Sequence, residues 1–503
     1  MHLNDLVADA SSVAAGTEDD ARSAVVSMYA KQKTIYARSV SGWFARWRWG
    51  MVWATQLVFY GLPWLDWNSR QAVLFDLDSR RFYIFGLVLY PQDFIYLTGL
   101  LVVSAYALFL FTAVAGRLWC GFACPQTVYT EVFMWVERQF EGDRMARMKR
   151  DAGPWSTNKF LRKGGKQTVW LAIGLWTGFT FVGYFTPIQS LGQSVLSLGL
   201  GPWEWFWMLF YGLATYGNAG YLREQVCKYM CPYARFQSAM FDKDTLIIGY
   251  DELRGEPRGT RGRKTDRKAA NLGDCIDCEL CVQVCPTGID IRQGLQYECI
   301  GCAACVDVCN GVMDKMQYPR GLIRYDTQNG IGGHLTRSQL LRRILRPRVL
   351  VSSAVLLLLC GGLLTGLLLR SPFRVDVVRD RGSLARTVDE GWVENVYRLQ
   401  IMNATEQPQH YRVRASGLPG MAQDLRRDVA VGPAGAEWVA LAVRVPPEVA
   451  AQVGPGSHAM NFEVAIVPGS ADTPNSPNSP NSPASPAAPG RSVVEKSTFI
   501  VPR

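Results

Sequence analysis

Histidine is scarce in this sequence of 503 residues, and the four that exist are His2, His334, His410 and His458. None of them lies in a long apolar segment. Many membrane proteins take electrons from quinol through a haem that paired histidines hold inside the helical bundle. Such a haem needs histidines within the apolar segments. The sequence therefore excludes a bis-histidine haem within an apolar bundle.

Two further signals are missing. No Gly-x-Gly-x-x-Gly follows a predicted strand, so no bound nicotinamide or flavin is indicated. Residues 1–42 lack the apolar core of a cleaved signal peptide, and we expect them to form a cytoplasmic tail.

Cysteines, by contrast, are numerous, and most of the thirteen fall in one short stretch. Each half of this stretch has the spacing Cys-x-x-Cys-x-x-Cys-x-x-x-Cys, which is typical of proteins with two 4Fe–4S clusters. In such proteins the fourth cysteine of each run ligates the other cluster, because it cannot turn back onto its own. The spacing predicts a first cluster on Cys275, Cys278, Cys281 and Cys309, and a second on Cys299, Cys302, Cys305 and Cys285.

Structural zinc and a disulfide framework are the competing interpretations of this stretch. Zinc takes four ligands per ion and gives no reason for a third cysteine and a three-residue gap to occur twice. Asn310 stands where the generic motif has proline, which removes no ligand. The pattern therefore favours an electron carrier with a bacterial-type two-cluster ferredoxin domain.

Clustered apolar residues predict an α-helical membrane bundle of about five spans. Val349 to Leu369 contains no charged residue and is long enough for a helix to cross about 30 Å of hydrocarbon. A buried core helix is the alternative for any single run. Four earlier runs are bounded by aromatic residues suited to the membrane interface, at about Gly50 to Leu65, Phe94 to Ala115, Thr168 to Thr186 and Trp205 to Tyr221.

Basic residues orient these predicted spans. The segment from Arg138 to Lys166 is rich in Lys and Arg, whereas Ile188 to Glu204 has neither, so the first is expected in the cytoplasm. The cysteine-rich stretch is then cytoplasmic, where thiols stay reduced, and the chain after Leu369 is periplasmic. Basic loops beside a membrane also explain the net charge of +10, so no nucleic-acid partner is predicted.

The second and fourth predicted spans are each followed by the element Cys-x-x-x-Cys-Pro. Positions i and i+4 of a helical turn face the same way, so each pair should present two thiols to one point at the cytoplasmic membrane edge. Soft sulfur ligands suit Cu(I), zinc or a redox dithiol, and copper is the ion that changes valence. Packing at helix ends and a disulfide within each pair are the alternatives. The candidate copper or redox thiols are Cys120, Cys124, Cys227 and Cys231.

The last part of the chain changes to short alternating runs with Pro- and Gly-rich turns, which predict an immunoglobulin-like β-sandwich. Residues 473–489, with Pro-Asn-Ser repeats, are predicted to be a disordered or polyproline loop. The predicted strands lie at Val396–Met402, His410–Arg414, Glu437–Val443, Asn461–Val467 and Ser492–Val501.

The predicted organisation has five regions. Residues 1–42 are the cytoplasmic tail, and residues 43–225 are a four-span membrane region with the repeated Cys-x-x-x-Cys-Pro elements. Residues 226–347 are the cytoplasmic two-cluster ferredoxin domain. Residues 348–370 are the fifth transmembrane helix, and residues 371–503 are the periplasmic immunoglobulin-like domain.

Taken in order, these elements resemble the bacterial cytochrome c oxidase accessory proteins of the FixG/RdxA/CcoG type. The resemblance covers nearly the whole chain from about Tyr36. It is carried by Trp119 to Gln126, by the second Cys-x-x-x-Cys-Pro element, by Tyr250 to Arg258, by the twin cluster motif and by the trailing sandwich.

This resemblance implies a membrane-bound polyferredoxin of the bacterial inner membrane with two 4Fe–4S clusters. It implies an oxidoreductase that acts as a cytoplasmic cupric reductase in the assembly of cbb3-type oxidase. The clusters would pass single electrons to copper at the repeat cysteines, whose thiolates prefer the Cu(I) product. Oxidase subunits or copper-handling assembly factors are the implied partners, and the electron donor is not identified. An electron-relay subunit for a partner respiratory enzyme and an assembly scaffold with structural clusters are the alternatives.

Overall fold

The computed structural model describes residues 34–68, 70–263, 265, 271–333, 339, 343–380, 385–423, 428–467 and 492–502. Most of the predicted N-terminal tail and the whole Pro-Asn-Ser segment at 473–489 lie outside these residues. The helices are α1 Trp43–Gly61, α2 Phe94–Ala115, α3 Leu118–Phe122, α4 Pro125–Glu141, α5 Arg144–Ala152, α6 Thr157–Val182, α7 Ile188–Leu196, α8 Pro202–Gly217, α9 Pro232–Met240, α10 Glu252–Gly255, α11 Leu280–Gln283, α12 Ala304–Met316, α13 Gln328–Gly333, α14 Pro347–Leu368 and α15 Pro447–Val453. Asn218–Leu222 and Val226–Met230 are π-helical turns.

Helices occupy all five predicted apolar runs, as α1, α2, α6, α8 and α14. Two segments of the described chain, Pro91–Ala115 and Pro347–Leu368, are long and apolar enough to cross a membrane, each with a mean hydropathy of 2.2. They pack on each other, and the Tyr96 hydroxyl donates to the Gly366 carbonyl at 2.9 Å. Helix α8 has only 16 residues, and α1 and α6 carry basic residues. The five-span bundle therefore stays a prediction.

A small β structure fills the connection between α1 and α2, which the sequence had not predicted. Its strands form one two-stranded and one three-stranded antiparallel sheet. Buried Tyr83 and Tyr90 pack with Met402 of the C-terminal region. Asp93, at the start of α2, is fully buried and pairs with Arg370 at 2.7 Å and Arg374 at 2.8 Å. The strands are β1 Asp66–Trp67, β2 Arg70–Gln71, β3 Val73–Asp76, β4 Arg81–Ile84 and β5 Leu87–Leu89.

The C-terminal region is a sandwich of two antiparallel sheets, as predicted. One sheet has the order β12-β14-β10-β8, with β9 also on β10, and the other has the order β13-β11-β15-β16. Aromatic pairs bridge the sheets, with ring centroids 4.9 Å apart for Phe373 and Tyr411. The five predicted strands are all present. The strands are β8 Phe373–Arg379, β9 Arg386–Thr387, β10 Val393–Asn403, β11 Gln409–Ser416, β12 Ala422–Gln423, β13 Val429–Val431, β14 Ala436–Val445, β15 Gly456–Ile466 and β16 Ser492–Val501.

The cysteine-rich segment folds around a two-stranded sheet, in which β6 (Ile247–Tyr250) pairs with β7 (Ile323–Asp326). Its core includes Ile248, Ile323 and Met313 of α12. Helix α1 docks on this core through its first turn. Asp307 of α12 accepts hydrogen bonds from the backbone N–H groups of Phe44 at 3.2 Å and Ala45 at 2.8 Å. A carboxylate from a distant helix thus supplies the cap that Gly42 lacks.

Candidate iron–sulfur and thiol site

The eight cysteines of the twin motif surround two cavities. The first is lined by the first cysteine set, and the second is lined by the second cysteine set together with Cys281. The two cavities are similar in size. Each therefore joins three cysteines of one run to the last cysteine of the other. The first set is Cys275, Cys278, Cys281 and Cys309, and the second set is Cys285, Cys299, Cys302 and Cys305.

The two cysteine loops share one backbone conformation, which explains why each curls around a point. Asp277 and Glu279 in the first loop have positive φ angles of 53° and 54°. Gly301 and Ala303, the equivalent positions of the second loop, have φ angles of 68° and 58°. Left-handed residues of this kind turn successive backbone N–H groups toward a common centre and favour an anionic occupant.

The chemistry of these residues fits an iron–sulfur cluster in each cavity. Burial raises the pKa of the Cys299 and Cys309 thiols to about 12, so bare thiolates are unfavourable there and bound cations would compensate them. Among the described residues, no three His, Cys, Asp or Glu side chains form a site for a single metal ion. An all-sulfur donor set around a cavity suits a cluster of several atoms instead. The assignment of individual ligands stays a prediction.

The repeat cysteines lie in or next to short helical segments that are interrupted before the following helix. Cys120 lies in α3 and Cys227 in the π turn, whereas Cys124 and Cys231 precede α4 and α9 with extended backbones. The expectation that each pair lies on one helical turn was therefore wrong. Proline follows the second cysteine of each pair, where it starts the next helix and keeps the preceding residue out of the helical region.

These four thiols lie near enough to interact electrostatically, although no three of them form a ready site for a single metal ion, and we call them the four-thiol site. Burial raises the pKa of Cys227 to about 12, and Cys124, Cys120 and Cys231 are the next contributors. Burial likewise raises the pKa of Cys120 to about 11. Buried Gln237 donates from Nε2 to the Cys120 Sγ at 3.4 Å. The π turn that contains Cys227 is a rare element, and such turns occur frequently at functional positions.

The four-thiol site lies directly against the second cysteine set. Cys120 and Cys227 pack with Cys302 and Cys305 in one cluster of side chains. Helix α3 approaches so closely that a Cβ on Gly121 would lie 2.6 Å from the Gly301 carbonyl oxygen. From the second repeat, Lys228 Nζ donates to the Thr287 carbonyl at 3.1 Å, two residues beyond Cys285.

Two buried arginines beside the second set were missed by the sequence analysis. Arg48 of α1 donates from Nη1 to the Cys302 carbonyl at 3.0 Å. Arg117, just before α3, donates from Nη1 to the Cys299 carbonyl at 3.4 Å. Each is 7% exposed. A charge at the edge of an apolar run is itself a functional signal, and it could have singled out both residues.

Comparison with protein families agrees with this arrangement. A 4Fe–4S dicluster domain matches residues 222–328, and a 4Fe–4S binding domain matches residues 97–141. The IG-like fold at the C-terminal of FixG matches residues 363–502. The first match includes both cysteine sets with Cys227 and Cys231, and the second includes Cys120 and Cys124.

Three curated proteins are similar over most of their length. The chain is 40% identical to nitrogen fixation protein FixG of Rhizobium meliloti (strain 1021), over 78% of this chain and 81% of FixG. It is 40% identical to protein RdxB of Cereibacter sphaeroides (strain ATCC 17023), over 79% of this chain and 85% of RdxB. It is 36% identical to protein RdxA of the same strain, over 78% of this chain and 84% of RdxA.

Proposed function

Since this chain belongs to the FixG/RdxA family of iron–sulfur electron-transfer proteins, we propose that it reduces Cu(II) to Cu(I) on the cytoplasmic side of the bacterial inner membrane. The product would serve the assembly of cbb3-type cytochrome c oxidase. Oxidase subunits or copper-handling assembly factors would be its partners. The observation that carries the proposal is the packing of Cys120 and Cys227 against the second cysteine set.

The eight cysteines of the twin motif would hold two 4Fe–4S clusters, which supply single electrons when bound. Cys278 is exposed and offers the first set to a soluble partner. Cys281 lines both cavities, so the chain holds its two ligand sets side by side. The second set in turn abuts the four-thiol site. The chain thus arranges its thiols in one series, from the first set through the second set to the four-thiol site.

Copper is the proposed substrate of the four-thiol site. Thiolates are soft ligands and bind Cu(I) more strongly than Cu(II), so they favour the reduced product. Cys120 and Cys227 are half-buried, and burial raises the pKa of both thiols. Met230, which is 60% exposed beside Cys231, offers a thioether at the entrance.

Membrane insertion rests on the two apolar helices and on what lies at their ends. At one end, Arg346 donates to the Ala113 carbonyl and pairs with Asp242 at 3.0 Å, next to the cysteine-rich domain. At the other end, buried Asp93 pairs with Arg370 beside the sandwich. This separation supports a cytoplasmic ferredoxin domain, with the sandwich in the periplasm.

A third iron–sulfur cluster is a second candidate occupant of the four-thiol site. The match of a 4Fe–4S binding domain to residues 97–141 favours it, because the only cysteines of that segment are Cys120 and Cys124. Two cysteines cannot ligate a cluster alone, but Cys227 and Cys231 would complete a set of four. This chain would then be an electron relay to a partner enzyme.

Copper reduction is tested with full-length protein that has been reduced anaerobically with dithionite and freed of excess reductant. After mixing with Cu(II), cluster oxidation is followed by visible absorbance and Cu(I) by a chromogenic chelator. We expect Cu(I) to form in proportion to cluster oxidation. A variant with serine at all four repeat cysteines should keep both clusters and lose this reaction.

Cys360→Ser is the matched control, because this cysteine is exposed on α14 and belongs to neither set nor to the four-thiol site. It should react like the unsubstituted protein. If the unsubstituted protein does not reduce copper, the relay hypothesis replaces the reductase. If the four-serine variant reduces copper equally fast, copper does not react at the four-thiol site.

A further inference from the structure

Arg117 is a buried cation that contacts both parts of the site. It lies three residues before Cys120 and is 7% exposed. Its Nη2 donates to the Ala234 carbonyl of α9 at 2.7 Å. Its Nη1 donates to the carbonyls of Tyr297 and Cys299 in the loop of the second cysteine set. One guanidinium therefore connects the second repeat to that loop.

No carboxylate pairs with Arg117 within the part of the chain that the structure describes, and its Nε has no hydrogen-bond partner there. A buried charge without a counter-ion is strongly unfavourable. Arg117 acts electrostatically on the sulfurs of Cys299, Cys120 and Cys227 and on the Tyr233 hydroxyl. The guanidinium is therefore placed for anionic sulfur rather than for a carboxylate.

The first cysteine set has a different electrostatic environment. Arg292 lies near Cys281, but it pairs with Asp290 at 2.7 Å and with Asp277 at 2.5 Å. Two carboxylates therefore offset its charge. Arg261 donates to the Cys275 carbonyl of the first set at 3.3 Å but is only half-buried, whereas Arg117 beside the second set is buried and pairs with no carboxylate among the described residues.

We propose that Arg117 is the shared counter-ion of the second cysteine set and the four-thiol site, and that it raises the reduction potential of the second cluster relative to the first. Reduction adds one negative charge, so a buried cation stabilises the reduced form more than the oxidised form. Arg117 is a positioning residue, because it acts through the ligands. The inference rests on the proposed function, in which a higher potential beside the four thiols directs electrons toward them.

The test is an EPR-monitored potentiometric titration of the full-length, cluster-loaded protein without copper. In Arg117→Gln, we expect the midpoint potential of the second cluster to fall. At the midpoint potential of the unsubstituted protein, the ratio of reduced to oxidised second cluster should fall at least tenfold, which is equivalent to about 59 mV for one electron. The midpoint of the first cluster should not move. Arg117→Lys keeps the charge and should restore most of the potential. Cys278→Ser, which alters only the first set, assigns the two signals.

Arg48→Gln is the matched control. Arg48 is equally buried, donates to the Cys302 carbonyl and acts electrostatically on the Cys302 sulfur, but the carboxylates of Glu131 and Asp307 also lie near it and offset part of its charge. Its replacement should shift the second cluster less than Arg117→Gln does. The comparison of the two variants therefore distinguishes the loss of a charge from the loss of a hydrogen bond to a cysteine carbonyl.

An unchanged second midpoint in Arg117→Gln, or an equal shift of both clusters, overturns the proposal. If Arg117→Gln loses iron, Arg117→Lys decides, because a tenfold fall in that variant would show that hydrogen bonding and not charge sets the potential. Since the titration contains no copper, its outcome is independent of the copper assay. Failure of copper reduction would leave a shifted potential standing.

Discussion

Gly121 of α3 packs on Gly301 of the second cysteine loop so closely that an added Cβ would lie 2.6 Å from the Gly301 carbonyl oxygen and 2.9 Å from the Cys302 Cα. Both neighbours are backbone atoms, which cannot move aside as a flexible side chain can. Gly121→Ala should therefore separate the four-thiol site from the second set. We expect a loss of about 1 to 3 kcal/mol in stability and a partial loss of iron.

Thermal unfolding in detergent and iron content per chain measure this effect. Gly361→Ala is the matched control, because a Cβ at Gly361 of α14 meets nothing within 4 Å. The control should retain full iron content. Full iron and unchanged unfolding in Gly121→Ala would show that the close approach of α3 to the loop is not required.

Asp307 should contribute to the attachment of α1 to the ferredoxin domain. Its carboxylate accepts hydrogen bonds from the first-turn N–H groups of Phe44 and Ala45. Removing a helix cap costs about 0.5 to 2 kcal/mol, and we expect a loss in this range for Asp307→Ala. Asp307→Asn keeps an acceptor oxygen and should lose less. Equal unfolding midpoints for the two variants would contradict the capping role.

Features that depend on residues close together in the sequence could be predicted from it, whereas contacts between distant segments could not. The cysteine spacing predicted two ligand sets, because a short loop of fixed length can close in few ways; the same residues line the two cavities, with Cys281 in both, and their ligation of clusters stays a prediction. The α2 and α14 segments followed from the length of their apolar runs, and the sandwich strands followed from alternating polar and apolar residues. The contact between Asp307 and Ala45 did not, since these residues lie 262 positions apart and no pattern in either segment refers to the other. The helical-turn model of the repeats failed because proline breaks the turn.

Copper affinity at the four-thiol site should rise with pH. Burial raises the pKa of Cys120 to about 11 and that of Cys227 to about 12, so both thiols hold their protons at neutral pH. Binding of Cu(I) must displace those protons, and each proton displaced makes the affinity rise about tenfold per pH unit. Competition with a chromogenic Cu(I) chelator between pH 6 and 8 measures the slope, after correction for the chelator's own pH dependence. A flat profile would mean that Cu(I) binds elsewhere.

Iron analysis decides between copper and a third cluster at the four-thiol site. Two 4Fe–4S clusters require about eight iron atoms per chain, and a third would bring the total to about twelve. We expect about eight, unchanged when all four repeat cysteines are replaced by serine, because the eight cysteines of the twin motif line both cavities without them. Cys309→Ser serves as the positive control for iron loss. A fall by one third in the four-serine variant would assign these thiols to iron, and the chain would then be a three-cluster relay in which copper has no thiol site of its own.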